Sequence, residues 1–383
     1  MQAKTFADMI TFTRAGTATF IDANGFLQVA AVDQPRFDYT NGRRQLLLEG
    51  PSTNLLPRSN DFGQPVWSKA RVSVSQGEIG PTGVSNTAWG LVAENVPGSH
   101  YVYQAAGFSA QSYTFSIRVK YVNHRWFYLR LYAGGPIFTA VFDLLAGVEG
   151  NTSAGASSTI TEEGSGFYRV TLTATMAEGT GNVLFGLNET GAALIENWTP
   201  TGDETVIVYG SQLETGAYST SYIPTEGTAV TRPADRAQLT EPVAALLRGG
   251  AASVLLQGEG IRPAPEGSIG RLVSGPGWDN YIFRLLPNSI SMGGAPGTEL
   301  SAVNLPLPEF GVIVGWGTDS RRGVYSQSGN VVTDGAPQNA TFATVLLGRT
   351  TDGGFANGWY DQLVIWPFRM TDADLQAKAV PYA

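Results

Sequence analysis

The 383-residue chain contains no cysteine. Disulfide staples and thiolate metal sites are therefore excluded, and an oxidising compartment gains no support. Histidine occurs only 2 times, at His100 and His124, which leaves little material for a Ser-His-Asp triad or a zinc site. Lys and Arg are sparse, 24 against 32 Asp and Glu, for a net charge of −8. No basic stripe is present, so nucleic acid and anionic membrane surfaces are poor partners. Long apolar runs are missing too. Met1 to Ile10 has no signal-peptide core and no later stretch approaches a membrane span. The expectation is synthesis in a bacterial-type cytoplasm, with any life outside the cell reached in a particle or by lysis. No glycine loop is followed by Lys-Ser or Lys-Thr to cradle a phosphate. Glycoside hydrolysis needs only two carboxylates, but no strand carries closely spaced acids. Glu162-Glu163, beside Gly164-Ser165-Gly166, reads as a solvated turn. A non-enzymatic protein is expected.

Glycine is plentiful, at 47 residues, and aromatics make up 11% of the chain. That combination suits many short strands joined by tight turns and argues against helix bundles. Phe115, Ile117, Val119 and Tyr121 alternate with Ser116, Arg118 and Lys120 along one strand. In the next, Phe127, Leu129 and Leu131 alternate with Trp126, Tyr128, Arg130 and Tyr132. Further strands are expected at 139–143, 167–175, 182–188 and 205–209. The fold class read from this pattern is all-β, with two antiparallel β-sandwich (jelly-roll) domains behind a small N-terminal hairpin segment.

The segments divide as follows. Residues 1–53 hold two hairpins, turning at Asp22-Ala23-Asn24-Gly25 and Asn41-Gly42; with little apolar face of their own, they should lean on a neighbouring domain or another subunit. Residues 54–224 form the first sandwich and 225–240 a connector stiffened by Pro224 and Pro233. Residues 241–383 form the second sandwich, closing with Gly358–Trp366 and a last helical turn capped by Thr371. Residues 212–235 are too rich in Gly, Thr, Ser and Pro for a helix and too regularly punctuated by aromatics for a flexible linker. They read as the exit from the first sandwich, with Tyr218, Tyr222 and Ile223 pinned back onto it.

Three stretches resemble bacteriophage and phage-like particle proteins, chiefly tail-fibre, receptor-binding and head-spike components, including those of gene transfer agents. The first runs from Ile10-Thr11-Phe12-Thr13-Arg14-Ala15-Gly16 through Pro35-Arg36-Phe37-Asp38-Tyr39 to Leu48-Glu49 and Thr53-Asn54-Leu55-Leu56. The second runs from Gln212-Leu213-Glu214 through Ser221-Tyr222-Ile223-Pro224-Thr225 to Thr231-Arg232. The third, Gly358–Trp366 with Thr371–Leu375, looks like the end of a laminin-G or concanavalin-A-like lectin domain. Gly16 stands where a Ser is usual in the first motif. The resemblance implies a virion surface protein that binds host capsule or lipopolysaccharide for adsorption, with other virion proteins and copies of itself as partners. Its first jelly roll would be carbohydrate-binding-module-like. The alternatives are a structural spike base or capsid decoration, and a capsule depolymerase.

The physical candidates for a sugar site are the outward residues Trp126, Tyr128, Arg130 and Tyr132, with Arg118 and Lys120 on the neighbouring strand. Aromatic faces match the C–H faces of pyranose rings, and Arg or Lys pairs with hydroxyls and uronate carboxylates. Alternate strand residues stand about 6–7 Å apart, comparable to one sugar ring. The same aromatics could instead face a second sheet or another subunit. Tyr101 and Tyr103 extend the platform or form an edge-strand pair, and Trp198 is a loop candidate for binding. Trp67 and Trp89 stand at positions usually apolar in the family the chain resembles, and the resemblance implies that both are core. No cofactor is expected. Asp279 and Asp352, on loops of the second domain, are candidates for a calcium site or for turn formation.

Overall fold

A computed structural model describes residues 5–193, 197–264, 270–274, 281–286, 289–292, 309–317, 321–325, 330–334, 344–349 and 353–379. The chain is nearly all β, built from antiparallel sheets. Among the described residues no helix is long and apolar enough to cross a membrane.

The first sandwich pairs two six-stranded sheets. One, called the aromatic sheet, runs in the order Val148–Thr152, Ile137–Asp143, Trp126–Tyr132, Gly179–Leu187, His100–Phe108, Ser68–Ala70. The other, the hydroxyl sheet, runs Ala156–Glu162, Tyr168–Met176, Gln111–Tyr121, Thr205–Thr215, Ala88–Ala93, Val72–Glu78. The two-residue side-chain period sends Phe115, Ile117 and Val119 of one sheet and Phe127, Leu129 and Leu131 of the other into a shared core. Trp67 and Trp89 are buried in that core, as the resemblance implied. Phe62 meets Trp67 and Phe185 edge-on, each with ring centroids 5.2 Å apart. The strand at 205 does not end at Tyr209 but continues to Thr215. Gly210, at φ 62°, supplies the left-handed residue where the pairing with Gln111–Tyr121 shifts register.

The second sandwich takes in much of what the sequence assigned elsewhere. Arg36–Asp38 pairs with Gln45–Leu48, which pairs in turn with Phe355–Trp366 in a seven-stranded sheet. Ile10–Thr13 pairs with Arg236–Leu239 in the facing sheet. The hairpins of residues 1–53 thus lean on neighbouring domains, one of the two alternatives their small apolar faces allowed, and 225–240 contributes a strand as well as a connection. Ile10, Phe12, Leu46 and Leu48 could not bury their side chains in isolated hairpins, so they complete the core of Val254, Leu256, Phe310 and Val312. The hairpin Ala18–Ile21 and Leu27–Ala30 goes the other way: Ile21 and Leu27 pack on Phe167, Ile207, Tyr209 and Tyr222 of the first sandwich. The C-terminal helix Asp372–Lys378 starts at Thr371, whose hydroxyl accepts from the Asp374 N–H at 3.2 Å.

Between the sandwiches lies a buried ionic cluster. Arg36 Nη1 meets Glu49 at 2.7 Å and its Nη2 meets Asp235. Arg14 reaches Asp235 at 3.0 Å, and Arg232 reaches Glu49 at 3.4 Å. Three guanidinium groups share two carboxylates, and backbone carbonyls take further donors: Arg14 donates to Gly16 O and Ala31 O, Arg36 to Thr19 O and Arg232 to Gly50 O, while Arg36 Nε and Arg232 Nε are buried without a hydrogen-bond partner. Ser221 binds Glu49 through both its N–H and its hydroxyl. Every residue of this cluster falls in or beside the first two particle-protein motifs. Burial pushes the Glu49 carboxyl up, but Arg232, Arg36 and Ser221 outweigh it and hold the group down at about 2.

Candidate functional site

Strand order decides which of the candidate side chains can act together. Trp126–Tyr132 lies beside Gly179–Leu187, which lies beside His100–Phe108. Tyr128 is opposite Gly186, and Gly186 is opposite Tyr101; Arg130, Leu184 and Tyr103 form the next row. Tyr101 and Tyr103 therefore share a face with Trp126, Arg130 and Tyr132, and they sit inside the sheet rather than on its edge strand. Their rings are 5.6 Å apart. Tyr132 is the most open aromatic of this face, 37% exposed, while Trp126 and Arg130 are half-buried. Arg130 Nε donates to Thr139 Oγ1 at 3.1 Å, and the Arg125 guanidinium covers Trp126 at 4.7 Å from its ring centre.

Several expectations need correction. Tyr128 is only 1% exposed; it stands in the middle of the sheet between Val141 and Gly186. The loop leaving Leu187 also crosses this end of the face. Gly191 accepts from the Asn151 N–H at 2.9 Å and lies against the Trp126 ring.

Arg118 and Lys120 belong to the hydroxyl sheet, on the opposite side of the sandwich. The short link 122–125 carries the chain from one sheet to the other instead of closing a hairpin. Arg118 is buried against Glu163, Nε to Oε2 at 2.7 Å, in an ionic contact too poorly directed to be a hydrogen bond. Lys120 donates to Ser165 O at 3.1 Å.

Glu163 is accordingly no solvated turn residue; it is 4% exposed and also pairs with Arg169 at 3.0 Å. Trp198, expected on an exposed loop, is 7% exposed and packed between the two histidines. His100 meets it edge-on at 5.1 Å and His124 stacks on it at 5.6 Å. Both imidazoles donate from Nε2 to backbone carbonyls, of Glu94 and Asn188, and burial pushes both below the usual histidine range. The only histidines in the chain are thus structural. Asp279 and Asp352 lie outside the described residues.

A second surface was not singled out from the sequence. The outward face of the hydroxyl sheet carries Ser157, Thr159 and Thr161 on one strand, with Thr173, Thr171 and Arg169 opposite them. Thr159 and Thr171 share a hydrogen bond of 2.7 Å, as do Thr114 and Thr173 at 2.8 Å. This face is the floor of a cleft of about 520 Å³ between the two sandwiches. Its far wall is formed by Arg262, Asn357 and Trp359 of the second sandwich, and Tyr218 lies between them. Tyr218 was expected to be pinned onto the first sandwich. Instead it is half-buried at the junction, with the Arg262 guanidinium 5.5 Å from its ring centre and its hydroxyl 3.4 Å from Asn357 Nδ2. The alternating run Val170-Thr171-Leu172-Thr173-Ala174-Thr175 marks the floor as a strand with a hydroxyl face. Nothing local says that a second domain stands over it.

No protein-family model matches the chain, and no curated protein matches it. Among solved structures, the full extracellular region of zebrafish Gpr126/Adgrg6 is similar at 11% identity and a TM-score of 0.25, over 80% of this chain and 37% of that one. A Trypanosoma rangeli sialidase, in complex with 2,3-difluorosialic acid as a covalent intermediate, is similar at 10% identity and a TM-score of 0.29, over 93% of this chain and 68% of that one. The chain spans little more than a third of the receptor region's length. At these TM-scores neither likeness carries an argument about fold or function.

Proposed function

We propose that the chain is a non-enzymatic surface protein of a phage or phage-like particle, such as a tail fibre or head spike, that binds a bacterial capsule or lipopolysaccharide glycan during adsorption. Two lines support this reading. The particle-protein motifs in the sequence supply the setting, and the outer face of the aromatic sheet supplies a surface suited to sugar. The observation that carries it is the gathering of Tyr101, Tyr103, Arg130 and Tyr132 on one face from two strands that flank a third. Partly exposed rings offer flat apolar faces to pyranose C–H groups, and a guanidinium beside them fixes hydroxyls or a carboxylate. Single-site affinity would be weak, and multiple copies on a particle supply avidity.

The direct test is binding of the multivalent protein to glycan arrays and to purified host capsule, before and after Tyr103→Ala and Tyr132→Ala. Binding that falls in both variants, with the fold intact, supports the reading. Silence against host polysaccharide at high valency overturns it. Release of shortened oligosaccharides would make the protein a depolymerase instead.

A further inference from the structure

We propose that the cleft between the two sandwiches is a second ligand site, built for an acidic oligosaccharide of the uronate type; the choice of a sugar rests on the function proposed above. The volume of about 520 Å³ is within the range of small-molecule and short-oligomer sites. Its floor is hydroxyl after hydroxyl, because Ser157 and Thr159 on one strand and Thr171 and Thr173 on the next recur at the two-residue period on one face. A hydroxyl both donates and accepts, which is the pairing that a polyhydroxylated ligand requires. Tyr218 and Trp359 add two half-buried aromatic rings at the opposite wall, surfaces that C–H faces of sugars cover well.

Charge decides the ligand class. The protein as a whole is acidic, at −8, yet the described residues lining this cleft include a single carboxylate, Glu49. That group is 6% exposed and already held by Arg36, Arg232 and Ser221. Arg169 is engaged by Glu163. Arg262 is exposed, lies over the Tyr218 ring, and has no carboxylate within ion-pair distance among the described residues. An exposed guanidinium beside a row of hydroxyls favours a planar carboxylate carried on a sugar over a neutral glycan. The buried ionic cluster behind the cleft fixes the two walls relative to each other, so little ordering is needed on binding.

The test titrates the full chain with tetragalacturonate and, as a neutral control, with galactotetraose, by calorimetry. Saturable binding of the acidic oligomer, and at least roughly tenfold weaker binding of the neutral one, is expected. Arg262→Ala should weaken tetragalacturonate binding by roughly tenfold, Arg262→Lys less. Ser157→Trp should block it by filling the cleft, while Val84→Ala, at an exposed position outside the cleft lining, leaves it unchanged. Thermal melting of each variant confirms the fold. No binding of tetragalacturonate, or binding indifferent to both Arg262→Ala and Ser157→Trp, overturns the proposal. If capsule binding that depends on Tyr103 survives that outcome, only the cleft has failed. If no glycan binds any variant, the broader function has failed with it.

Discussion

Arg14 Nη1 donates to Asp235 Oδ1 at 3.0 Å across 221 positions of sequence, with both side chains fully buried. The pair ties the N-terminal motif to the end of the stretch at 212–235, and Arg36, Glu49 and Arg232 complete the cluster. Charges taken out of water are tolerated only when their partners and hydrogen bonds are nearly complete, so this junction has little slack.

Removing one member should therefore be severe. Asp235→Ala leaves Arg14 and Arg36 without their shared carboxylate and is expected to cost about 3–5 kcal/mol, read as a lower urea midpoint with an unchanged slope. Arg248→Ala is the control. Arg248 pairs with Glu241 at an exposed site, where the loss should be slight.

Acid should act through Glu49. Its carboxyl, held at about 2 in the folded chain, has an ordinary value of 4.5. Depression means that the folded state favours the ionised form. The stabilisation is complete above about 4.5 and is lost as pH falls from there towards about 2; at ~1.4 kcal/mol per pH unit it amounts to roughly 3 kcal/mol. Denaturation titrations at pH 6, 4 and 3 check it. Stability that does not fall in this window in the wild type, or falls as steeply in Glu49→Gln, contradicts the assignment.

Trp198→Ala separates structure from binding. The ring is packed against His100, His124 and the first core, so the variant should lose about 3–5 kcal/mol. Glycan binding by the fraction that stays folded should be unchanged. Tyr132→Ala should show the reverse, weakened capsule binding with a melting temperature close to wild type.

Gly186→Ala tests the close approach between strands. A Cβ at this position would come within 2.1 Å of His100 O and 2.9 Å of the Tyr101 Cβ. Backbone must shift to admit it, and overpacking of this kind costs about 1–3 kcal/mol. Because the shift moves Tyr101, capsule binding should weaken along with stability, whereas an unperturbed melt would disprove the packing.

The sequence by itself determined the strands and their faces. Alternation placed Phe115, Ile117, Val119, Phe127, Leu129 and Leu131 inward, Asn24-Gly25 and Asn41-Gly42 marked real turns, and Thr371 marked a helix start. These are local signals, set by a side-chain period of two, by glycine's access to positive φ and by an N-cap hydroxyl. Only the tertiary structure decided which strands are neighbours. Alternation gives a residue's face but not its sheet, so Arg118 and Lys120 proved to stand on the far side from Trp126. It also cannot say how far a neighbour screens a position, which is why Tyr128 and Trp198 are closed. The cleft over Ser157 and Thr173, and the charge cluster joining Arg14 to Asp235, exist because segments far apart in sequence are brought together by burying apolar faces that neither could cover alone.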